Sequence, residues 1–95
     1  MDLYDELQKT VDALHEKLEE PTLEIETKKI NQKLRAAKFN PGDVEPLADC
    51  MLAILLAARS EGHSVKSVFE RLRTLADEIG RKRWKKMPDG TYRAL

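Results

Sequence analysis

The chain has 95 residues, with 17 Lys+Arg against 17 Asp+Glu and no formal net charge. That length bounds it to one small domain, and the balance excludes an overall basic surface for nucleic acid or membrane, though not a local basic patch. Charged residues make up 36% and aromatics 5%, with four Gly and four Pro, the composition of an aliphatic, helical protein and not of a disordered chain. The single cysteine, Cys50, leaves no internal disulfide or Cys-rich zinc site and reads as a small buried hydrophobe. Asp2, Asp5 and Glu6 interrupt any apolar leader, and the longest apolar run, 50–58, is about half the length of a bilayer crossing. A cytoplasmic protein without a membrane partner is expected.

In chain order, Leu3, Leu7, Val11, Leu14 and Leu18 alternate steps of four and three, which predicts an amphipathic helix over about 2–20 stopped by Pro21. Thr22 is suited to cap a second helix, with Thr27, Ile30, Leu34 and Ala37 inward and a basic outer face toward its end. Asn40-Pro41-Gly42 breaks it. Asp43 should cap a third helix, with Pro46 in its first turn. From Leu47 to Ala58 that helix has almost no polar face, so it belongs in the middle of a bundle. Gly62 should end it and Ser64 should cap the fourth, whose stripe is Val65, Val68, Phe69, Leu72, Leu75, Ala76 and Ile79. Pro88-Asp89-Gly90 is a turn, residues 91–95 read as an extended tail, and no alternating strand pattern stands out. The fold class is therefore all-α, a four-helix bundle in one domain, 1–95.

Two features point to self-association. A chain of this size hides only about 60–65% of its unfolded surface, and three short neighbours cannot cover so apolar a third helix. A homo-oligomer, dimer or higher, is expected. Charge is also polarised: residues 1–46 carry eleven acids and seven bases, and residues 47–95 six acids and ten bases. Head and tail can attract each other within one fold or between subunits.

Candidate chemistry is sparse. Glu16, Glu19 and Glu20 share the spacing of one helical face, but an exposed one. Glu24 and Glu26 suit a helix N-terminus. Asp49 lies in an apolar setting at the start of the third helix. It reads either as a metal ligand or as an ionic partner, for example of Lys33 or Arg73. His15 and His63 have no partner at zinc-ligand spacing, and Ser60, Ser64 and Ser67 lack a nucleophile context. The run Arg81 to Lys86 places five positive charges around Trp84. It could hold phosphates with Trp84 stacked on a base, or be a basic helix end with Trp84 packed on the core. It offers too few phosphate contacts for tight nucleic-acid binding.

The ordered set Pro41-Gly42-Asp43-Val44-Glu45-Pro46-Leu47-Ala48-Asp49-Cys50, the leucine-rich helix, Arg59, Gly62, Ser64 and Arg83-Trp84 followed by Pro88-Asp89-Gly90 resembles the MazG-like all-α nucleoside triphosphate pyrophosphohydrolases. The short phage dATP/dGTP diphosphohydrolase type is the nearest branch, and the resemblance spans about residues 28–90. It implies a MazG-like core at 22–86, an N-terminal amphipathic helix at 1–21 and a tail at 87–95. In that family a Glu-x-x-Glu pair and a Glu-x-x-Asp pair hold magnesium on the triphosphate, and an activated water releases pyrophosphate. Matched position by position, Lys33 and Ala36 replace the first pair, Pro46 replaces the next Glu, and Asp49 remains. Leu56 and Ile79 stand where a further acid and an Asn are common. The resemblance thus implies a degenerate metal site, with Lys33 paired to Asp49 in place of the metal bridge. A nucleotide would be bound through Lys33, Lys82, Arg83, Trp84 and Lys85, or a protein partner through the helical surface, without hydrolysis and without a cofactor. The alternative is an active, magnesium-dependent dNTP or NTP pyrophosphohydrolase whose missing pair comes from the acids at 16–26.

Overall fold

The computed structural model describes residues 2–19 and 21–95. Four helices, α1 (Leu3–Lys17), α2 (Leu23–Phe39), α3 (Glu45–Ser60) and α4 (Val65–Arg81), are followed by two short strands, β1 (Trp84–Lys86) and β2 (Tyr92–Ala94). No described helix is long and apolar enough to cross a membrane.

Side chains next to the helices set three of the four N-termini. Asp2 Oδ1 accepts from the Asp5 amide at 2.9 Å, Thr22 Oγ1 from Ile25 at 3.2 Å, and Ser64 Oγ from Ser67 at 3.1 Å. Each supplies an acceptor to an amide that has no partner within its helix. The expectation for α3 needs correction. Asp43 Oδ1 accepts from the Glu45 amide at 3.0 Å, a turn two residues long, and Val44 is the last residue before the helix. Gly62 does what its position predicts. At φ +86° it lets its own amide reach Arg59 O and the His63 amide reach Ala58 O, satisfying the last carbonyls of α3.

α1 stops at Lys17, earlier than expected, and Glu19 takes a left-handed φ of 54°. Glu16 and Glu19 therefore do not share a helical face. Glu20, the third member of that set, lies outside the described residues.

α3 is the hub, as its all-round apolar surface predicts, because it packs on α1, α2 and α4. The core is Val11, Leu55, Leu56 and Val65, with Leu7, Leu14, Leu52, Val68 and Phe69 against it. Completely burying an aliphatic side chain such as Val11 or Leu56 contributes about 1.5–3 kcal/mol. A polar clamp ties three helices beside this core. Asp12 Oδ1 accepts from Arg59 Nε at 2.7 Å and from Gln8 Nε2 at 2.9 Å, while Gln8 Oε1 accepts from the Val65 amide at 2.7 Å.

The inward face of α2 differs from expectation. Thr27 and Leu34 are exposed, and the residues turned toward α3 are Glu26, Ile30, Lys33, Ala36 and Ala37. Ile30 and Ala37 lie on the covered face as expected, but counting apolar residues missed its other members, because that face begins with a glutamate and passes through a lysine. α2 packs on α3 and on no other described element.

The C-terminal segment also corrects the sequence reading. Residues 84–86 and 92–94 pair as an antiparallel hairpin, Trp84 opposite Ala94 and Lys86 opposite Tyr92. The Met87 amide donates to Thr91 O and the Gly90 amide to Met87 O, and Gly90 takes φ +89°, which favours glycine. Asp89 Oδ1 accepts from both the amide and the hydroxyl of Thr91, which lowers its pKa below the ordinary carboxylate value. A boundary at 86/87 would divide this hairpin, so residues 87–95 are not an independent tail.

The single chain is expanded. Its radius of gyration is 15.7 Å, against about 12.4 Å for a compact domain of this length. Beyond Phe69, every residue of α4 is exposed.

Candidate functional site

The residues to which the resemblance assigns chemistry fall in two places. The first is the antiparallel seam between α2 and α3. Lys33 Nζ stands 3.3 Å from Asp49 Oδ2, and both side chains are about 40% exposed. One turn further in, the Cys50 thiol contacts Ile30 O at 3.6 Å, which fixes the same register. Continuing that register outward sets Ala36 beside Pro46. All four positions, 33, 36, 46 and 49, are half-buried, whereas Leu34, Arg35, Leu47 and Ala48 are exposed.

Around positions 33, 36, 46 and 49 the seam holds one carboxylate, Asp49, and its partner is an ammonium. That donor set does not suit magnesium, which needs several oxygen ligands around a divalent charge. Among the described residues, no three His, Cys, Asp or Glu side chains converge on a point. Glu26, seven residues before Lys33 on the same face, is only 2% exposed. Its Oε2 accepts no hydrogen bond and lies 3.9 Å from Lys29 Nζ. A lysine three residues along the same helix thus answers its charge. Composition gave no hint of this burial, although the spacing 26, 30, 33, 37 holds it in retrospect.

The second place is the hairpin. The helical basic end expected at 81–86 is not one: α4 finishes at Arg81 and the backbone extends at Lys82. Trp84 is neither free nor packed on the bundle core. Its Nε1 donates to Ile79 O at 2.8 Å, and its ring forms an apolar notch with Ile79 and Tyr92. Strand alternation puts Trp84, Lys86, Tyr92 and Ala94 on one face and Lys85 and Arg93 on the other. Trp84 and Lys85 therefore look in opposite directions. Sequence reasoning included Lys86 in the basic run but missed Tyr92 and Arg93, which the hairpin brings beside it. The available signal was Pro-Asp-Gly flanked by Trp-Lys-Lys and Thr-Tyr-Arg, a hairpin pattern.

Neither strand packs on α1, α2 or α3. Lys33 and the set Lys82, Arg83, Trp84 and Lys85 are thus not assembled into one site within a chain. Head and tail do meet within the chain where Arg59 Nε stands 2.7 Å from Asp12 Oδ1, but the basic hairpin takes no part in that contact. The serines have local duties: Ser67 Oγ donates to Ser64 O, and Ser60 Oγ to Ala57 O.

Comparison with protein-family models, with curated proteins and with solved structures finds no match to this chain.

Proposed function

We propose that this chain is a MazG-like helical protein that binds a nucleoside phosphate without hydrolysing it. The observation that carries the second half is the Lys33 ammonium 3.3 Å from the Asp49 carboxylate. A cation seated beside Asp49 would face that ammonium, and because both side chains are about 40% exposed each unit of repulsion at ~4 Å costs nearer ~1 kcal/mol than the ~4 kcal/mol of an effective dielectric of 20. The lysine takes the counter-charge role that a metal has in a working pyrophosphohydrolase, so water activation has no agent.

The first half rests on the resemblance and on the hairpin. In sequence Arg81, Lys82, Arg83, Lys85, Lys86 and Arg93 flank two exposed aromatic rings, Trp84 and Tyr92, with Asp89 as the only acid in residues 81–95, and Lys86 shares the rings' face of the hairpin. A base can stack in the Trp84–Tyr92 notch while Lys86, on the same face, meets a phosphate.

The test is thermal stabilisation and Trp84 fluorescence with each NTP and dNTP, together with a pyrophosphate-release assay in Mg²⁺ and Mn²⁺. The reading expects stabilisation by at least one nucleotide, its loss in Trp84→Ala, and no pyrophosphate. Pyrophosphate release abolished by Asp49→Asn would make the protein an enzyme. No response to any nucleotide would remove the nucleotide half.

A further inference from the structure

We infer that the hairpin carries a second anion site, on the face turned away from the Trp84–Tyr92 notch, which takes a multiply charged phosphate through Arg83, Lys85 and Arg93. Strand register defines the site. Trp84 pairs with Ala94, Lys85 with Arg93 and Lys86 with Tyr92. Directly opposed residues share a face and successive ones alternate, so Lys85 and Arg93 stand together behind the ring of Trp84. Arg83 joins them because the ladder continues there: the Leu95 amide donates to Arg83 O at 2.9 Å.

The three cations are close and have no counter-charge. Ladder bonds join Leu95 to Arg83 and Met87 to Thr91. Each lies two positions from the Lys85–Arg93 pair, and hydrogen-bonded pairs recur at every second position. The Cα atoms of Lys85 and Arg93 are therefore about 5.5 Å apart. Arg83 lies about 6.7 Å from Lys85 along the strand. All three residues are exposed. Among the described residues, the ion pairs use other side chains. Asp89, the only acid in residues 81–95, is held by Thr91 at the turn. Like charges directly opposed across two strands repel, and a two-stranded hairpin is marginal by itself.

That repulsion indicates the ligand. Two guanidinium forks and one ammonium present many N–H donors, and the forks match phosphate oxygens in pairs. An anion with several charges a few ångströms apart meets all three cations at once. Linked phosphates do this, and a single carboxylate does not. Filling the site turns a cross-strand repulsion into a bridge, so the hairpin tightens as the anion binds. The face needs no base in the notch and fills whether or not a nucleotide stacks on Trp84.

Calorimetric titration with tripolyphosphate in the absence of divalent cations tests the site, with Trp84 emission followed in parallel. The wild-type chain should bind one anion, and its emission should move to the blue. Lys85→Ala and Arg93→Ala should each raise the dissociation constant about tenfold, whereas Lys86→Ala, on the notch face, should change it less than about threefold. Lys85→Glu separates lost binding from lost folding. It sets opposite charges across the strands, so binding should vanish while the hairpin tightens and Trp84 emission moves to the blue without ligand. A short oligothymidylate, titrated in the same way, identifies the source of the phosphate. With the same pattern across the variants, tighter binding than tripolyphosphate assigns a nucleic-acid backbone, and weaker binding a free phosphate chain. Nucleotide stabilisation lost in Trp84→Ala reports on the notch and leaves this face untouched. No binding by the wild-type chain, sulfate bound as tightly as tripolyphosphate, or equal losses in Lys85→Ala and Lys86→Ala would each overturn the site.

Discussion

Reversing one charge at the α2–α3 seam tests the central chemical claim. Lys33→Glu places a second carboxylate opposite Asp49, where the ammonium now stands 3.3 Å away. Unit charges at that separation interact by ~1.3 kcal/mol in bulk water and ~5 kcal/mol at an effective dielectric of 20. Both side chains are about 40% exposed, so the lower figure governs and side-chain entropy reduces it further. The native pair should contribute about 0.5–1 kcal/mol. Lys33→Ala should cost about that much, and Lys33→Glu about 1–2 kcal/mol once attraction has become repulsion. A chain of this size loses about 4–8 °C of Tm per kcal/mol, so the second variant should melt roughly 5–15 °C lower. The informative arm is millimolar Mg²⁺ or Mn²⁺. It should leave the wild-type melting temperature unchanged and recover part of the loss in Lys33→Glu, because two facing carboxylates form the start of a cation site. Wild-type protein that is stabilised by Mg²⁺, with the effect lost in Asp49→Ala, would refute the view that Lys33 has displaced the metal.

Other consequences follow from the same geometry. Hydrogen bonds from Gln8 and then from Arg59 hold the Asp12 pKa below its ordinary 3.8. Its contribution to stability is therefore complete above pH 4 and is lost as pH falls through the lower folded value; in melts from pH 7 to pH 2, Asp12→Asn should flatten part of the acid decline. At neutral pH, Asp12→Ala should cost about 1–2 kcal/mol in chemical denaturation, because Arg59 and Gln8 both lose a partner. Leu56→Ala, at a completely buried position on the hub helix, should cost roughly 2–5 kcal/mol in the same assay. Gly90→Ala, at φ +89°, should cost about 1–2 kcal/mol locally, open the hairpin and shift Trp84 emission to the red while leaving the helical circular dichroism intact.

The Lys33–Asp49 pair was legible because the resemblance aligned two polar residues on successive helices. In an antiparallel pair of helices, a contact at one register point implies its neighbours. The inward face of α2 was legible only in part, since a buried glutamate and a half-buried lysine imitate a solvent stripe. The hairpin was hidden by its brevity. Three-residue strands leave too little alternation to register, and the basic run beside α4 read as helix end.

Local sequence sufficed for whatever depends on the nearest few residues. Thr22 and Ser64 cap because a hydroxyl reaches an amide three residues on, Gly62 turns because it has no Cβ, and the leucine steps of α1 and α4 follow from 3.6 residues per turn. Packing alone decided which side of each helix is covered. That choice rests on the summed fit of α3 against three neighbours, so it put Glu26 inside, left Leu34 and Leu75 outside, and held the basic hairpin away from Lys33. Residues distant in sequence have no local signal of whether a neighbour will arrive, which is why the extent of uncovered apolar surface became visible only with the helices in place.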